Sequence, residues 1–234
     1  MDNKNPAISR FARHQSNIVN RELDFAYIAI AKASNTTIRH GLLGALGLSS
    51  DDTFNGNPVK EIIHRQDDGP FNYEPLSKLS KNPTSLIFTV VRNPWSRIMS
   101  CYRDKFLFKF HEPFREYGMR PDYSFSDFVE HISRIPDRDA EIHFRSQRTQ
   151  IFFQGSLVPN LILRTETVSQ DWRLVQSYFE GKHGISLPDL GRFAAREGST
   201  EKFSVSQKDI DIISERYEGD VKLFRYSLPE GIPT

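Results

Sequence analysis

The sequence predicts an α/β fold with a mostly parallel sheet flanked by helices, and three observations carry that prediction. Three short apolar runs, at residues 25–30, 85–91 and 161–163, are strand-sized and apolar almost throughout. Such runs belong to strands buried on both faces, as in parallel sheets. Each is followed by a polar turn and then by apolar residues at helical spacing, and that alternation implies strands joined by covering helices.

The elements follow in chain order. Residues 1–22 read as a polar N-terminal arm, and 23–234 as one domain. The first strand, Phe-Ala-Tyr-Ile-Ala-Ile from Phe25, enters a hydroxyl-rich turn and a helix over 38–48. The second strand runs into Arg92, Asn93 and Pro94. Asn93 is a good N-cap and Pro94 suits the first helical position, so a helix is expected from Trp95 to about Phe108. Phe125, Phe128, Val129 and Ile132 share one helical face, capped by Ser124 or Ser126. After the third strand, Thr167 and Gln170 fit a capping box and Gly181 a helix stop. Ile210, Ile213 and Tyr217 mark a last helix, started by Ser206.

Composition narrows the function. The 234 residues carry 31 Lys and Arg against 30 Asp and Glu, a net charge of +1. A nucleic-acid footprint normally shows a large basic excess, so an anion site here must be local and no nucleic-acid partner is expected. The single cysteine, Cys101, rules out an intramolecular disulfide and a cysteine-based zinc cage. The first 20 residues lack the apolar core of a signal peptide, and no apolar run approaches the roughly 20 residues of a membrane helix. The expectation is a soluble, cytoplasmic protein.

Ligands of such sheets bind beyond the carboxyl ends of the strands, which directs attention to the first two strand–helix loops. The first reads Lys32-Ala33-Ser34-Asn35-Thr36-Thr37. Free amides at a helix start, two threonine hydroxyls and one mobile lysine suit a phosphate or sulfate. Taken alone, the same residues also fit an ordinary capped helix start. The spacing is not that of a Walker A loop. In the second loop, Arg92 at a strand end can grip a phosphate with two donors, and Ser100 lies two turns into the helix behind it. Arg97, Arg103 and Lys105 follow on that helix, either beside the same anion or on a solvated basic face.

Together the two loops are far more specific. A strand–Lys-x-x-x-Thr loop, followed by strand–Arg-Asn-Pro-x-x-Arg-x-x-Ser-x-Tyr-Arg-Asp-Lys, resembles the sulfotransferases, most closely the carbohydrate (Golgi-type, sulfotransferase family 2-like) branch. Arg164-Thr165-Glu166-Thr167 and the stretch from Tyr217 to Tyr226 match more loosely, so the resemblance spans nearly the whole chain. It implies a P-loop-like three-layer fold. It also implies 3′-phosphoadenosine 5′-phosphosulfate as donor, with adenosine 3′,5′-bisphosphate as product, and no metal. By the same resemblance, Lys32 with Ala33, Ser34, Asn35, Thr36 and Thr37 holds the 5′-phosphate and the sulfuryl group, and Lys32 stabilises the leaving phosphate. Arg92 and Ser100 contact the 3′-phosphate. Arg196 and Ser199 sit in a loop that in this family closes over the same phosphate, or else form a plain charged surface loop. Two departures stand out: Ala31 replaces the usual proline, and Asn35 the usual small residue before the threonine.

A neutral acceptor hydroxyl needs a base, and an imidazole titrating near neutrality suits that work. His64 lies between the two donor loops, where related glycan enzymes carry their base, and is the candidate. His143, in a His-Phe-Arg-Ser-Gln stretch with Arg145 and Gln147, resembles the family's acceptor region. Residues 106–123, rich in aromatic and basic side chains, read equally as an acceptor lip or a packed connection. The expected acceptor is a hydroxyl of a glycan or glycolipid. Two rival readings are weaker. A P-loop kinase lacks its second glycine, its Lys-Ser/Thr ending and an Mg²⁺ carboxylate; a non-catalytic nucleotide- or RNA-binding domain lacks its basic excess. The eukaryotic relatives are lumenal and membrane-anchored, whereas this chain reads as the cytoplasmic, bacterial type.

Overall fold

The computed structural model describes residues 16–191 and 203–229. They form two compact units: a sheet unit made of Ser16–Val91 and the chain from Ile151, and a helical unit made of Arg92–Gln150 and the chain from 203 onward.

The sheet unit is mixed α/β. Its five strands lie in the order Tyr73–Pro75, Ser16–Asn20, Phe25–Ile28, Leu86–Val91, Leu161–Arg164. The last three are parallel, in registers that pair Tyr27 with Phe88 and Val90 with Leu163. The first two join antiparallel, so the sheet is mixed rather than parallel throughout. Ser16–Asn20 falls within the stretch read as an arm. It carries only two strongly apolar residues, Ile18 and Val19, too short a pattern to register as a strand in isolation.

Every residue of Phe25–Ile28 and Leu86–Val91 is buried, which is why these runs show no polar alternation. On one face Phe25, Tyr27, Phe88 and Val90 form a core with Ile38, Leu42 and Leu43 of the helix Asn35–Leu43. Trp172, Val175 and Phe179 of the helix Val168–His183 complete it. Tyr27 stacks on Phe88 with ring centres 5.0 Å apart, and Phe25 meets Phe179 edge-on at 5.0 Å. Each such fully buried aromatic contributes about 1.5–3 kcal/mol of burial. The two helices approach so closely that a Cβ on Gly41 would stand 2.8 Å from the Trp172 ring and 2.7 Å from Leu190. Glycine is required there. The Trp172 indole N–H donates to the Pro188 carbonyl at 2.9 Å, pinning the segment behind it. Val168–His183 ends at Gly184, left-handed at φ 65°, while Gly181 lies inside the helix; nor does the Thr167 side chain cap the helix start. Its hydroxyl instead donates to Asp171 at 2.8 Å.

The helical unit packs its own core. Pro94–Tyr102 begins as expected, with Asn93 as cap and Pro94 in the first turn, but gives way at Arg103–Phe108 to wider i→i+5 turns. Phe125–Ser133 and Gln207–Arg216 both start with full capping boxes, Ser124 with Asp127 and Ser206 with Asp209. Their apolar faces meet Ile98, Tyr102 and Phe106 in one cluster with Phe114 and Phe144. Of the stretch 106–123, Phe106, Phe114, Tyr117 and Met119 are buried in this core, whereas Phe108 stays 59% exposed.

Candidate active site

The first loop owes its shape to the backbone. Lys32 and Ser34 both adopt left-handed φ, 66° and 55°, at a cost of roughly 1–2 kcal/mol for each non-glycine residue. The Ala33 N–H donates to the Ile30 carbonyl at 3.3 Å, closing a turn. The first intrahelical bond runs from the Ile38 N–H to the Ser34 carbonyl at 3.0 Å, so the amides of Asn35, Thr36 and Thr37 precede the helix ladder. Ser34 makes no side-chain cap, and the first turn holds no acidic residue. Successive N–H groups around left-handed residues can form a concave nest for an anion, and the half-buried Lys32 is the first left-handed residue of this turn. Ala31 and Asn35 are thus compatible with a structured loop.

Side chains tie this loop to two other segments of the sheet unit. Ser34 Oγ donates to Thr165 Oγ1 at 3.2 Å, joining it to the turn after Leu161–Arg164. Thr36 Oγ1 lies 3.3 Å from His64 Nε2, which brings the exposed His64 imidazole onto the first loop. Asn35 accepts from Arg39 Nε at 3.0 Å, and Arg39, 6% exposed, also donates to the Ile63 carbonyl at 3.1 Å and to the Tyr73 hydroxyl. Arg39 therefore links Asn35 to the residue preceding His64. Sequence reading passed over Arg39, although its i,i+4 spacing from Asn35 was there to find.

The second loop is held differently. Gln147 is fully buried, and its amide grips the main chain of Arg92 from both sides: Oε1 accepts the Arg92 N–H at 2.8 Å, and Nε2 donates to the Arg92 carbonyl at 2.7 Å. The sequence assigned Gln147 to the acceptor; here it is a support for Arg92, with no exposed surface to offer. Asp220 lies beneath it, fully buried, accepting the Gln147 and Arg148 N–H groups at 2.8 Å each and so capping Gln147–Ile151. Burial raises the Asp220 pKa, partly offset by those two N–H donors. Arg97 is also buried, its guanidinium donating to the carbonyls of Arg145 at 2.8 Å and Ile142 at 3.0 Å. It braces a loop and does not present charge to an anion. Arg145 donates from Nε and Nη2 to the Ala140 carbonyl at 2.9 and 2.6 Å. Ser100 is half-buried in the second turn of its helix. Arg196 and Ser199 lie outside the described residues.

His143 pairs with Glu141, whose two oxygens both stand 2.9 Å from Nδ1. Glu141 is 6% exposed. Burial acts to raise its pKa, but His143 and the hydrogen bonds from it win, and the carboxyl is held below its ordinary range. The neighbouring His111 is pushed down to about 4, chiefly by burial and then by the charge of His143.

The sheet unit is thus a mixed α/β structure whose first parallel strand turns through left-handed residues into a helix start with no side-chain cap. The chain belongs to the sulfotransferase family: the family model, described as sulfotransferase family, matches residues 15–227. No curated protein and no solved structure matches it. No helix among the described residues is long and apolar enough to cross a membrane.

Proposed function

We propose that the protein transfers a sulfuryl group from 3′-phosphoadenosine 5′-phosphosulfate to a hydroxyl of a carbohydrate or glycolipid, with His64 as base and Lys32 at the leaving oxygen. The observation that carries this reading is the 3.3 Å approach of His64 to Thr36, which sets an imidazole against the anion-holding loop. The donor supplies an activated sulfuryl group; this chain's residues bind, orient and move one proton. The nest at Lys32–Thr37 takes the 5′-phosphosulfate end, and Arg92 with Ser100 takes the 3′-phosphate. His64 accepts the proton of the acceptor hydroxyl as its oxygen bonds to sulfur. Lys32 places positive charge where the bridging oxygen becomes negative as its bond to sulfur breaks, which is stabilisation specific to the transition state. Like phosphoryl transfer, the reaction demands alignment more than covalent help.

Calorimetry with adenosine 3′,5′-bisphosphate, ATP and short RNA tests the donor. Tight binding of the bisphosphate alone is expected, and Mg²⁺-dependent binding of ATP at equal strength would sink the reading. Labelled-donor assays on glycan acceptors should then show that Lys32→Ala loses turnover far more than bisphosphate affinity; equal losses would make Lys32 a ground-state binder.

A further inference from the structure

A second polar cluster lies inside the helical unit, built from two segments of chain. His111 precedes the turn Glu112–Tyr117, its N–H bonded to the Lys105 carbonyl at 3.0 Å. Glu141 and His143 flank Ile142 in the bend that the buried Arg97 holds through the Ile142 and Arg145 carbonyls. One ligand atom from each of His111, Glu141 and His143 lies within 4.8 Å of the other two, the one such grouping of three among the described residues. Glu141 accepts the His143 N–H at 2.7 Å and faces His143 Nδ1 with both oxygens. His143 is its one ion-pair partner among the described residues. The His111 ring stands edge-on to His143 with centres 5.1 Å apart and makes no hydrogen bond to a described residue.

We propose that His111, Glu141 and His143 form a binding site for a first-row divalent cation of the zinc type. Two imidazoles and one carboxylate are a donor set for zinc and its transition-metal neighbours, whereas calcium and magnesium take all-oxygen shells. The 2.9 Å between His143 Nδ1 and the carboxylate oxygens matches two ligands set nearly at right angles about one ion with bonds of about 2.1 Å. Ligands spread tetrahedrally stand about 3.4 Å apart, so His111 must swing inward by roughly 1 Å. Its ring makes no hydrogen bond to a described residue, so a side-chain rotation disturbs only its edge-on contacts with Phe114 and His143. A purely structural Glu141–His143 pair explains the orientation of His143 and leaves the His111 ring only edge-on packing against Phe114 and His143. Three protein ligands leave a fourth position open for water or an anion. A bound ion would join the His111 segment to the bend leading into Gln147–Ile151, whose first residue holds Arg92.

The test uses the untagged full chain, stripped with a chelator and titrated with Zn²⁺ by calorimetry and with Co²⁺ by visible absorption. One ion per chain is expected, with visible Co²⁺ bands of a low-coordinate nitrogen–oxygen site. Zn²⁺ at a hundredfold excess over its Kd should raise the melting temperature by about 5 °C or more. His111→Ala removes only ring contacts, so it should keep the parent circular dichroism while weakening Zn²⁺ binding at least tenfold. His143→Asn, a second variant that keeps a polar group beside Glu141, should do the same. A stripped parent chain that binds neither ion below millimolar concentration would overturn the proposal. So would a folded His111→Ala or His143→Asn variant that binds Zn²⁺ as tightly as the parent.

Discussion

The three parallel strands of the sheet unit have two very different ends. At their amino ends Asp24, Ser85 and Asn160 lock the strands together. Asp24 Oδ1 accepts the Ser85 N–H at 3.0 Å, and its other oxygen takes the Ser85 hydroxyl and the Lys182 ammonium. Asn160 accepts the Ile87 N–H at 3.0 Å and donates to the Ser85 carbonyl at 2.8 Å. Tyr178 donates to the Asp24 carbonyl at 2.7 Å. At the carboxyl ends the first loop runs through two left-handed residues, begins a helix without a side-chain cap, and holds its hydroxyls on Thr165 and His64. The lesson is a division of labour within one sheet. The amino end, with one left-handed residue in Asp24 (φ 50°), spends its polar groups on itself; the carboxyl end, with two, leaves helix-start amides outside the helix ladder.

That contrast can be broken or sharpened by mutation. The largest effect belongs at the carboxyl end: His64→Ala should slow sulfuryl transfer by about 10²–10⁴-fold. Because His64 is exposed, the melting temperature and bisphosphate affinity should hardly move. Retained turnover would remove His64 from the chemistry. Between the two ends, Gly41→Ala forces a methyl group into Trp172 and Leu190 and should destabilise the fold by about 1–3 kcal/mol in urea titration. An unchanged midpoint would mean that these helices separate freely.

Smaller is the strain itself. Ser34→Ala and Ser34→Gly both lose the bond to Thr165, but only glycine relieves the left-handed φ, so the glycine variant should be the more stable by about 1 kcal/mol. Equal stability of the pair would deny that the loop is strained. The smallest effect is at the amino end, where Lys182 and then Ser85 hold the Asp24 carboxyl below its ordinary value of 3.8. A depressed carboxyl stabilises the fold above its unfolded pKa and loses that contribution as pH falls through the folded one. Asp24→Asn should therefore lower the melting temperature by a degree or two at pH 7, a screened surface effect. The difference should shrink below about pH 4, where Asp24 begins to protonate in the unfolded chain. A gap that widened on acidification would contradict this reading.

Much of this was legible beforehand, and the residues show why. Asn93 with Pro94, and Ser124 and Ser206 before their helices, act on neighbours three residues away, and such short-range signals survive in the bare chain. Buried parallel strands likewise announce themselves by continuous apolar runs. Gly181 misled because glycine is a stop only when the chain turns left-handed, and Gly184, three residues on, takes that conformation. Gln147 and Arg97 misled for another reason. Both are polar residues near a motif, and polarity alone does not distinguish a group facing a ligand from one buried against backbone carbonyls.

The sequence by itself determined the strand–helix alternation, the two loops with their lysine and arginine, and the family to which they belong, because these rest on local patterns and on spacing along the chain. Tertiary structure alone decided which polar residues hold and which are held. His64 meets Thr36 across 28 positions, and Asp220 caps a helix start 73 positions away. Contacts over such separations arise only when buried apolar faces bring distant segments together, and no spacing rule along the chain records them.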